Sequence, residues 1–530
     1  MANKLELTWY GKDEPIRIEP RLLIENAALS NTAADLGTEN MLIHGDNLLA
    51  LKSLETRFAG QVKCIYIDPP YNTGSAFEHY DDNLEHSQWL QLMRPRLEIL
   101  WSLLSEEGSL WISIDDDEQA YMKVLCDELF GRSTFIASII WQKRTSPDMR
   151  AVISDGHDYI LVYAKNRDRF KETRNRLPLT EEQATNYKNP DNDPKGPWAS
   201  SDFTAQGWRP NQMYEIVTPS GKVVTPPEGR CWRHLEDVYK QLLAEGRLWF
   251  GSDGSGVPRK KTYLSESEGI APWTWWTNKE VGHNQEAKKE IIALYGAQNA
   301  FDTPKPERLI ERIIHIASNP GDLVMDSFLG SGTTAAVAHK MGRRYIGIEM
   351  GNHAYTHCKV RLDKVIAGED KGGITKSTGW ESGGGYRFFE LAPSLINRDL
   401  FDEYVINEEY DADMLAAAVA LHEGFRYQPD GGLFWKQSVG NENSYLFVTT
   451  RHLNSTYLDS IKDTMEDGEY LIIACRSFDS GLDKAYSNIT IKKIPQMLLS
   501  RCEFGKADYN LNIVHPPVYD DEWDEEDCDE

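Results

Sequence analysis

Cysteine is scarce in this chain: seven in 530 residues, scattered, with no Cys-x-x-Cys pair and no Cys/His spacing suited to zinc. That excludes a disulfide framework and a structural zinc site. It leaves the cysteines as small buried hydrophobes in a reducing compartment. No uninterrupted apolar run reaches the length of about 18 residues that a membrane helix needs. The opening stretch, MANKLELTWYGKDEP, has no apolar core, so a secretory signal is not expected. Cytoplasmic placement without a membrane partner follows as the expectation. Basic residues are in the minority, 57 Lys+Arg against 83 Asp+Glu, for a net charge of −26. Spread evenly, that charge would exclude a polyanionic partner. It is not spread evenly: residues 1–140 carry −12, 141–270 carry +2, 271–390 carry +1 and 391–530 carry −17. The final YDDEWDEEDCDE reads as a solvated tail. Contact with a polyanion is expected in the middle of the chain.

Short apolar runs alternate with helical patterns. MLIHGDNLLALKSL (Met41 to Leu54) reads as strand, turn and helix start. VKCIYIDPPY (Val62 to Tyr71) is a run suited to a strand buried on both faces, ending where proline cannot pair. HSQWLQLMRPRLEILWSLLSEEG (His86 to Gly108) has helical periodicity, with Gly108 as its C-cap. SLWISID, FIASIIWQK and DYILVYAK read as further strands. The alternation predicts an α/β fold with a doubly wound, mostly parallel sheet of the Rossmann-like kind. From about Asn166 the pattern breaks into Pro-, Gly-, Asn- and Trp-rich sequence, and it resumes at PERLIERIIHIAS (Pro306 to Ser318). The expected organisation is a catalytic domain in two parts, 1–165 and 285–370, around an insert, 166–284. A linker (371–385), a C-terminal α/β domain (386–515) and the acidic tail (516–530) follow.

Asp326 to Thr334 read DSFLGSGTT, between the strand DLVMD and the small-residue helix TTAAVAHKMG. A strand ending in an acid, a Gly-x-Gly turn and a helix start form a nucleotide-cofactor arrangement. Gly330 and Gly332 allow a sharp turn and close approach of backbone to a ligand. Glu349 lies 17 residues past Gly332, at the end of the next strand, near the spacing of about 20 at which a carboxylate reaches ribose hydroxyls. A phosphate-binding P-loop requires Lys after its last glycine, and here Thr333 follows. Ala335 satisfies the looser dinucleotide pattern, so spacing alone leaves NAD open.

The earlier motif, Ile67 to Tyr71, reads IDPPY. Its chemistry suits an aromatic exocyclic amine, whose lone pair is delocalised into the ring. The Asp68 carboxylate and the Pro69 carbonyl can accept its two N–H groups and favour a more tetrahedral, nucleophilic nitrogen. Pro69 and Pro70 fix the backbone so that a carbonyl faces the site. Tyr71 offers a flat face for an extruded base. An NAD enzyme would leave this segment unexplained.

Together DPPYNTG (Asp68 to Gly74), TPKPERLIERIIHIAS (Thr303 to Ser318), DSFLGSGTT and RRYIGIE (Arg343 to Glu349) resemble the beta class of DNA amino-methyltransferases. They are most similar to the modification (Mod) subunits of Type III restriction–modification systems. The resemblance covers about 40–165 and 285–365 and is diffuse in the insert. It implies site-specific methyl transfer from S-adenosylmethionine to a flipped base in double-stranded DNA. An acid at position 68 implies adenine N6. The resemblance implies further that Asp326, Phe328, Gly330, Gly332 and Thr333 form the S-adenosylmethionine loop, with Glu349 on the ribose. Thr303 and Lys305 would close over the methionine end. Asp46, in His44-Gly45-Asp46, would meet the adenine of the cofactor, or cap the helix that follows. No metal is called for.

The insert then becomes the target recognition domain. Lys143, Arg144, Arg167, Arg169, Lys171 and Arg174 are candidate phosphate contacts, with Pro258-Arg259-Lys260-Lys261 as another basic turn. Trp198, Trp208, Trp273, Trp275 and Trp276 either stack on bases or pack a core. A homodimer and a separate restriction subunit carrying helicase and nuclease functions stay open as partners. So do three rivals: a cytosine-N4 or RNA methyltransferase, a catalytically silent recognition subunit, and an NAD-dependent enzyme.

Overall fold

In the computed structural model the apolar runs assemble into one ten-stranded mixed sheet. The structure describes residues 6–9, 11–13, 17–72, 86–299, 301, 303–499, 502 and 504. The acidic tail, the end of the C-terminal segment, and Thr73 and Gly74 of the early motif lie outside the described residues. In chain order the strands are β1 (Leu23–Glu25), β2 (Met41–His44), β3 (Val62–Ile67), β4 (Leu104–Ile114) and β5 (Phe135–Gln142). Then come β6 (His157–Ala164), β7 (Trp275–Trp276), β8 (Leu323–Asp326), β9 (Arg344–Glu349) and β10 (Arg387–Leu391). In space they run β1-β10-β2-β9-β8-β3-β4-β6-β5-β7. From β10 to β4 every neighbouring pair is parallel. β6 runs antiparallel between β4 and β5, and β1 runs antiparallel along β10.

Burial on both faces explains the continuous apolar runs: five of the six β3 residues and all four of β8 are buried. Helix α1 (Asn47–Phe58), helix α2 (His86–Leu103) and helix α3 (Gln119–Phe130) pack on the sheet around a core that includes Leu51, Ile65, Trp89, Leu97, Leu100 and Ile112. Each such buried leucine or isoleucine is worth roughly 1.5–3 kcal/mol over exposure. Helix α4 (Arg167–Thr173) follows β6. Helix α5 (Asn284–Tyr295) and helix α6 (Glu307–Ala317) precede β8. Helix α7 (Thr333–Lys340) follows β8, and helix α8 (Val360–Ala367) follows β9.

The adjacency of β8 and β3 is what brings the two motifs together. Met325 pairs with Ile65, so Asp326 lies level with Tyr66, two residues short of Asp68. This is the carboxyl edge of a parallel sheet, where open α/β folds bind ligands.

Residues 175–272 form a separate compact unit. It has a three-stranded sheet, two two-stranded sheets and a core that includes Phe203, Ile216, Trp232 and Tyr239. Residues 392–499 belong with the catalytic sheet in the other unit and add a five-stranded sheet over Arg426–Lys493.

Two expected boundaries are corrected. Arg387–Leu391, placed at the start of the expected C-terminal domain (386–515), is β10, an interior strand of the ten-stranded sheet between β1 and β2. Its RFFEL sequence supplies a buried Phe388 to that sheet. Nor is 371–385 a free linker. Ile374 is buried, and its N–H donates to the Glu307 carboxylate at 2.9 Å. Gly373 lies so close to Glu307 that a Cβ there would sit 2.0 Å from Oε2. Gly373, Gly384 and Gly385 serve close packing, while Gly379 and Gly383 have open space beside them.

Candidate active site

Asp68 follows β3 directly, and both its oxygens are engaged. Tyr71 donates its hydroxyl to Oδ1 at 2.8 Å, and the Lys305 ammonium lies 2.6 Å from Oδ2. Burial, then the neighbouring Asp68 charge, push the Tyr71 phenol well above the usual range, so it stays a donor. The Lys305 ammonium also stands over the Tyr71 ring, 5.0 Å from its centroid. Trp89, on α2, donates its indole N–H to the Pro70 carbonyl at 2.8 Å, which fixes the Pro-Pro turn through Pro70 and not Pro69. Asn72 takes a positive φ of 60°, a conformation asparagine tolerates. Its amide donates to the fully buried Glu118 at 2.7 Å.

Lys305, expected at the methionine end of the cofactor, has its ammonium in an ion pair with the Asp68 carboxylate. Pro304 and Pro306 on either side stiffen its backbone. Thr303 is exposed.

The glycine loop is built largely from its own hydrogen bonds. Asp326 accepts from Phe328 N–H at 2.9 Å and from the Thr334 hydroxyl at 2.6 Å. It therefore shapes the loop with both oxygens. Phe328 is buried in the same hydrophobic cluster as Ile348 and Met325. Thr333 accepts from Arg361 at 2.8 Å and donates to the Lys305 carbonyl at 3.3 Å, which ties the two motif regions together. Glu349 accepts from the N–H groups of Gly330 at 2.7 Å and Gly351 at 2.9 Å. Asp46 is the N-cap of α1, accepting from Leu48 and Leu49 at 2.8 and 3.1 Å; the capping reading is the one seen. Asn47 donates to the Ser327 carbonyl at 2.8 Å and joins the β2 turn to the loop.

The two loop glycines have different reasons. A Cβ on Gly330 would stand 3.2 Å from the Phe301 ring. Gly332 has φ +80°, and a Cβ there would meet the Cα of Cys358 at 3.0 Å. Gly332→Ala should therefore destabilise the fold by about 1–3 kcal/mol, from left-handed strain plus the contact. Denaturant unfolding of that variant checks this, and an unchanged midpoint would refute it.

Burial pushes the Asp326 carboxyl up from 3.8 to about 7, against the opposing pull of Thr334 and Phe328 N–H. The folded protein thus keeps a proton that the unfolded chain releases. The stability this group contributes is greatest at low pH, falls as pH rises from about 4 to about 7, and is level above that. Asp326→Asn should remove the slope. Its unfolding free energy relative to the parent should be higher at about pH 8 than at about pH 5. Asp115 and Glu290 are also raised to about 7 by burial, but they are common to both proteins and cancel.

The expected DNA contacts are scattered. Lys143 is buried and held by Asp158 at 2.7 Å and Asp155 at 2.6 Å, so it is not a phosphate contact. Arg167, Arg169, Lys171 and Arg174 sit on or just after α4. That helix follows Ala164, which pairs with Ser109 at the start of the paired segment of β4, while Tyr159 pairs with Ile114 at its end. Five residues of strand, roughly 17 Å, separate those levels, so α4 lies at the opposite edge from Asp68. Of the six expected contacts, only Arg144 is both exposed and at the Asp68 edge. In the insert, Lys261 is buried on Asp191 and Asp193. Trp198 is buried, Trp208 and Trp273 are exposed, and Trp275 and Trp276 form β7 of the main sheet.

Sequence reasoning missed Asn72, Trp89, Glu118, Asn47 and Arg361. Asn72 stood inside the DPPYNTG motif but was given no role. The other four carry no local signal, because their roles arise from tertiary contacts.

A DNA methylase family matches residues 62–359. The type II methyltransferase M.EcaI of Enterobacter cloacae is 32% identical over 392 residues, covering 72% of this chain and 81% of that protein. The StyLTI Mod subunit of a type III restriction-modification enzyme from Salmonella typhimurium is 34% identical over 364 residues, covering 62% of this chain and 54% of its own length. The EcoP15I Mod subunit of Escherichia coli is 24% identical over 510 residues, covering 79% and 77%. This chain thus spans about half the length of the Salmonella relative.

Proposed function

This chain belongs to the DNA methylase family, and from that premise we propose that it methylates N6 of adenine in double-stranded DNA with S-adenosylmethionine as donor. The observation that carries the reading is the Asp68 carboxylate, fixed by Tyr71 and Lys305 one strand away from the glycine loop. The residues present fit the cofactor. Ser327 Oγ in the loop and Asn72 Oδ1 beside the catalytic motif are buried with no hydrogen-bond partner among the described residues. Gly330, Ser327 and Glu349 would hold the nucleoside part. When bound, S-adenosylmethionine supplies an electrophilic methyl group.

The chain's own residues do the rest. Asp68 Oδ2 accepts one N–H of the amine, the Pro69 carbonyl accepts the other, and the lone pair localises on nitrogen. Tyr71 and Lys305 keep the carboxylate oriented before the base arrives, so little reorganisation remains at transfer. The acid at position 68 favours adenine over cytosine on the family resemblance. The names of the Salmonella and Escherichia coli relatives support a modification role beside a separate restriction subunit. No helix of the described residues is long and apolar enough to cross a membrane, and cytoplasmic action on DNA is the accompanying reading.

Expression in cells free of adenine methylation, followed by sequencing of their DNA, tests this. N6-methyladenine at one short sequence is expected. Label on cytosine N4, on RNA, or on nothing would overturn it.

A further inference from the structure

The connection between β5 and β6, residues 143–156, leaves the sheet at the edge that carries Asp68. Gln142 pairs with His157 across its base, Tyr159 pairs with Ile114, and Ile67 pairs with Ile112. Its ends are anchored. Lys143 is clamped by Asp158 and Asp155, Asn278 donates its side-chain amide to the Arg144 carbonyl at 3.1 Å, and Asn284 N–H donates to the Lys143 carbonyl at 3.1 Å. Its tip is braced too. Asp148 accepts from the backbone N–H of Arg150 at 3.0 Å and pairs with its guanidinium, while Asp148 N–H donates to Ser154 Oγ at 2.7 Å.

On this braced tip Met149, Val152 and Ile153 are 90%, 103% and 90% exposed. Three large apolar side chains within five residues, held in water, forgo the transfer free energy that burial would return. Arg144 and Arg150 stand beside them, both exposed.

We propose that this tip enters the DNA duplex beside the target adenine and fills the space the base vacates when it is drawn to Asp68. The inference rests on the adenine-methylating reading above. The occupant is DNA because the loop is continuous with the catalytic edge: Asp158, which anchors it, interacts electrostatically with both Asp68 and Lys305. A base seated at Asp68 leaves its gap in the stack on that side. Apolar wedges that part base steps are the recurring means of holding such a gap open, and flanking arginines suit the adjacent phosphates.

The test uses the full chain and a short duplex of the sequence returned by methylation mapping, with 2-aminopurine in place of the methylated adenine. Parent protein should raise its fluorescence as the base unstacks. The variant M149S/V152S/I153S changes only exposed side chains. It should lower the fraction flipped in a fully paired duplex by about tenfold or more, because the cost of unstacking is no longer offset. A mismatch opposite the target, which already weakens stacking, should restore flipping and methylation to near parental levels. Parental flipping by the variant in the paired duplex would overturn the proposal. So would an equal loss on paired and mismatched DNA, or a fall in solution mass showing that the tip joins two copies of the chain. If the parent methylates no DNA at all, the adenine-methylating reading fails first, and this inference falls with it.

Discussion

Asp68→Ala should slow methyl transfer by about a hundredfold or more, by analogy with losing one preorganised transition-state hydrogen bond, while leaving cofactor affinity close to the parent's. Among the described residues Asp68 hydrogen-bonds to Tyr71 and Lys305 and to no residue of the glycine loop, so the loss belongs to the chemical step. Single-turnover methylation and calorimetric titration with S-adenosylmethionine separate the two. A variant that transfers methyl groups at near-parental rate would remove Asp68 from the mechanism. One that no longer binds the cofactor would show that Asp68 supports the loop as well.

Glu307→Gln should cost the fold about 3–5 kcal/mol, because it breaks a buried charge network without replacing its partners. Glu307 is 1% exposed and pairs with Lys340 at 2.8 Å and Arg361 at 2.8 Å; Lys340 also reaches Asp370 at 2.7 Å. Arg361 in turn holds Thr333 at the start of α7. Loss of the carboxylate leaves two buried cations with one anion between them, so a weaker grip on the glycine loop should accompany the lower stability. Glu39→Gln, which breaks the exposed pair with Arg344, is the control and should leave the denaturation midpoint near the parent's. Equal effects from the two substitutions would refute the network's role.

What could be read from sequence follows from range. Apart from Lys63 and the terminal Asp326, Val62 to Ile67 and Leu323 to Asp326 are apolar because both faces of a parallel strand are covered, so their strands and the α/β class were visible locally. Asp68, Gly330 and Glu349 were visible because strand-end chemistry is compressed into a few adjacent positions. Gly108 shows the limit. It reads as a helix C-cap, yet the helix ends at Leu103 and Gly108 lies inside β4, where a Cβ would stand 2.7 Å from the Val62 carbonyl. The glycine was required by a neighbouring strand 46 residues earlier in the chain. Lys143 and Lys261 misled for the same reason: charge in sequence says nothing of the aspartates that fold onto it. Lys305 was singled out in the sequence, but its partner, 237 residues away, was not visible there.

The pairing of β10 with β2 also bears on where the catalytic fold ends. The family match stops at residue 359 and begins at 62, which excludes β2 on one side and β10 on the other. A polypeptide trimmed to the matched segment would present β9 as a bare sheet margin, with backbone groups of Ile346 to Glu349 that now bond β2 left without partners. Such a margin templates strand addition between copies. The smallest autonomous catalytic fragment therefore has to begin ahead of Met41 and continue through Leu391. The family-matched interval and the folding unit are different lengths of chain, and the extra sequence is there to complete a sheet.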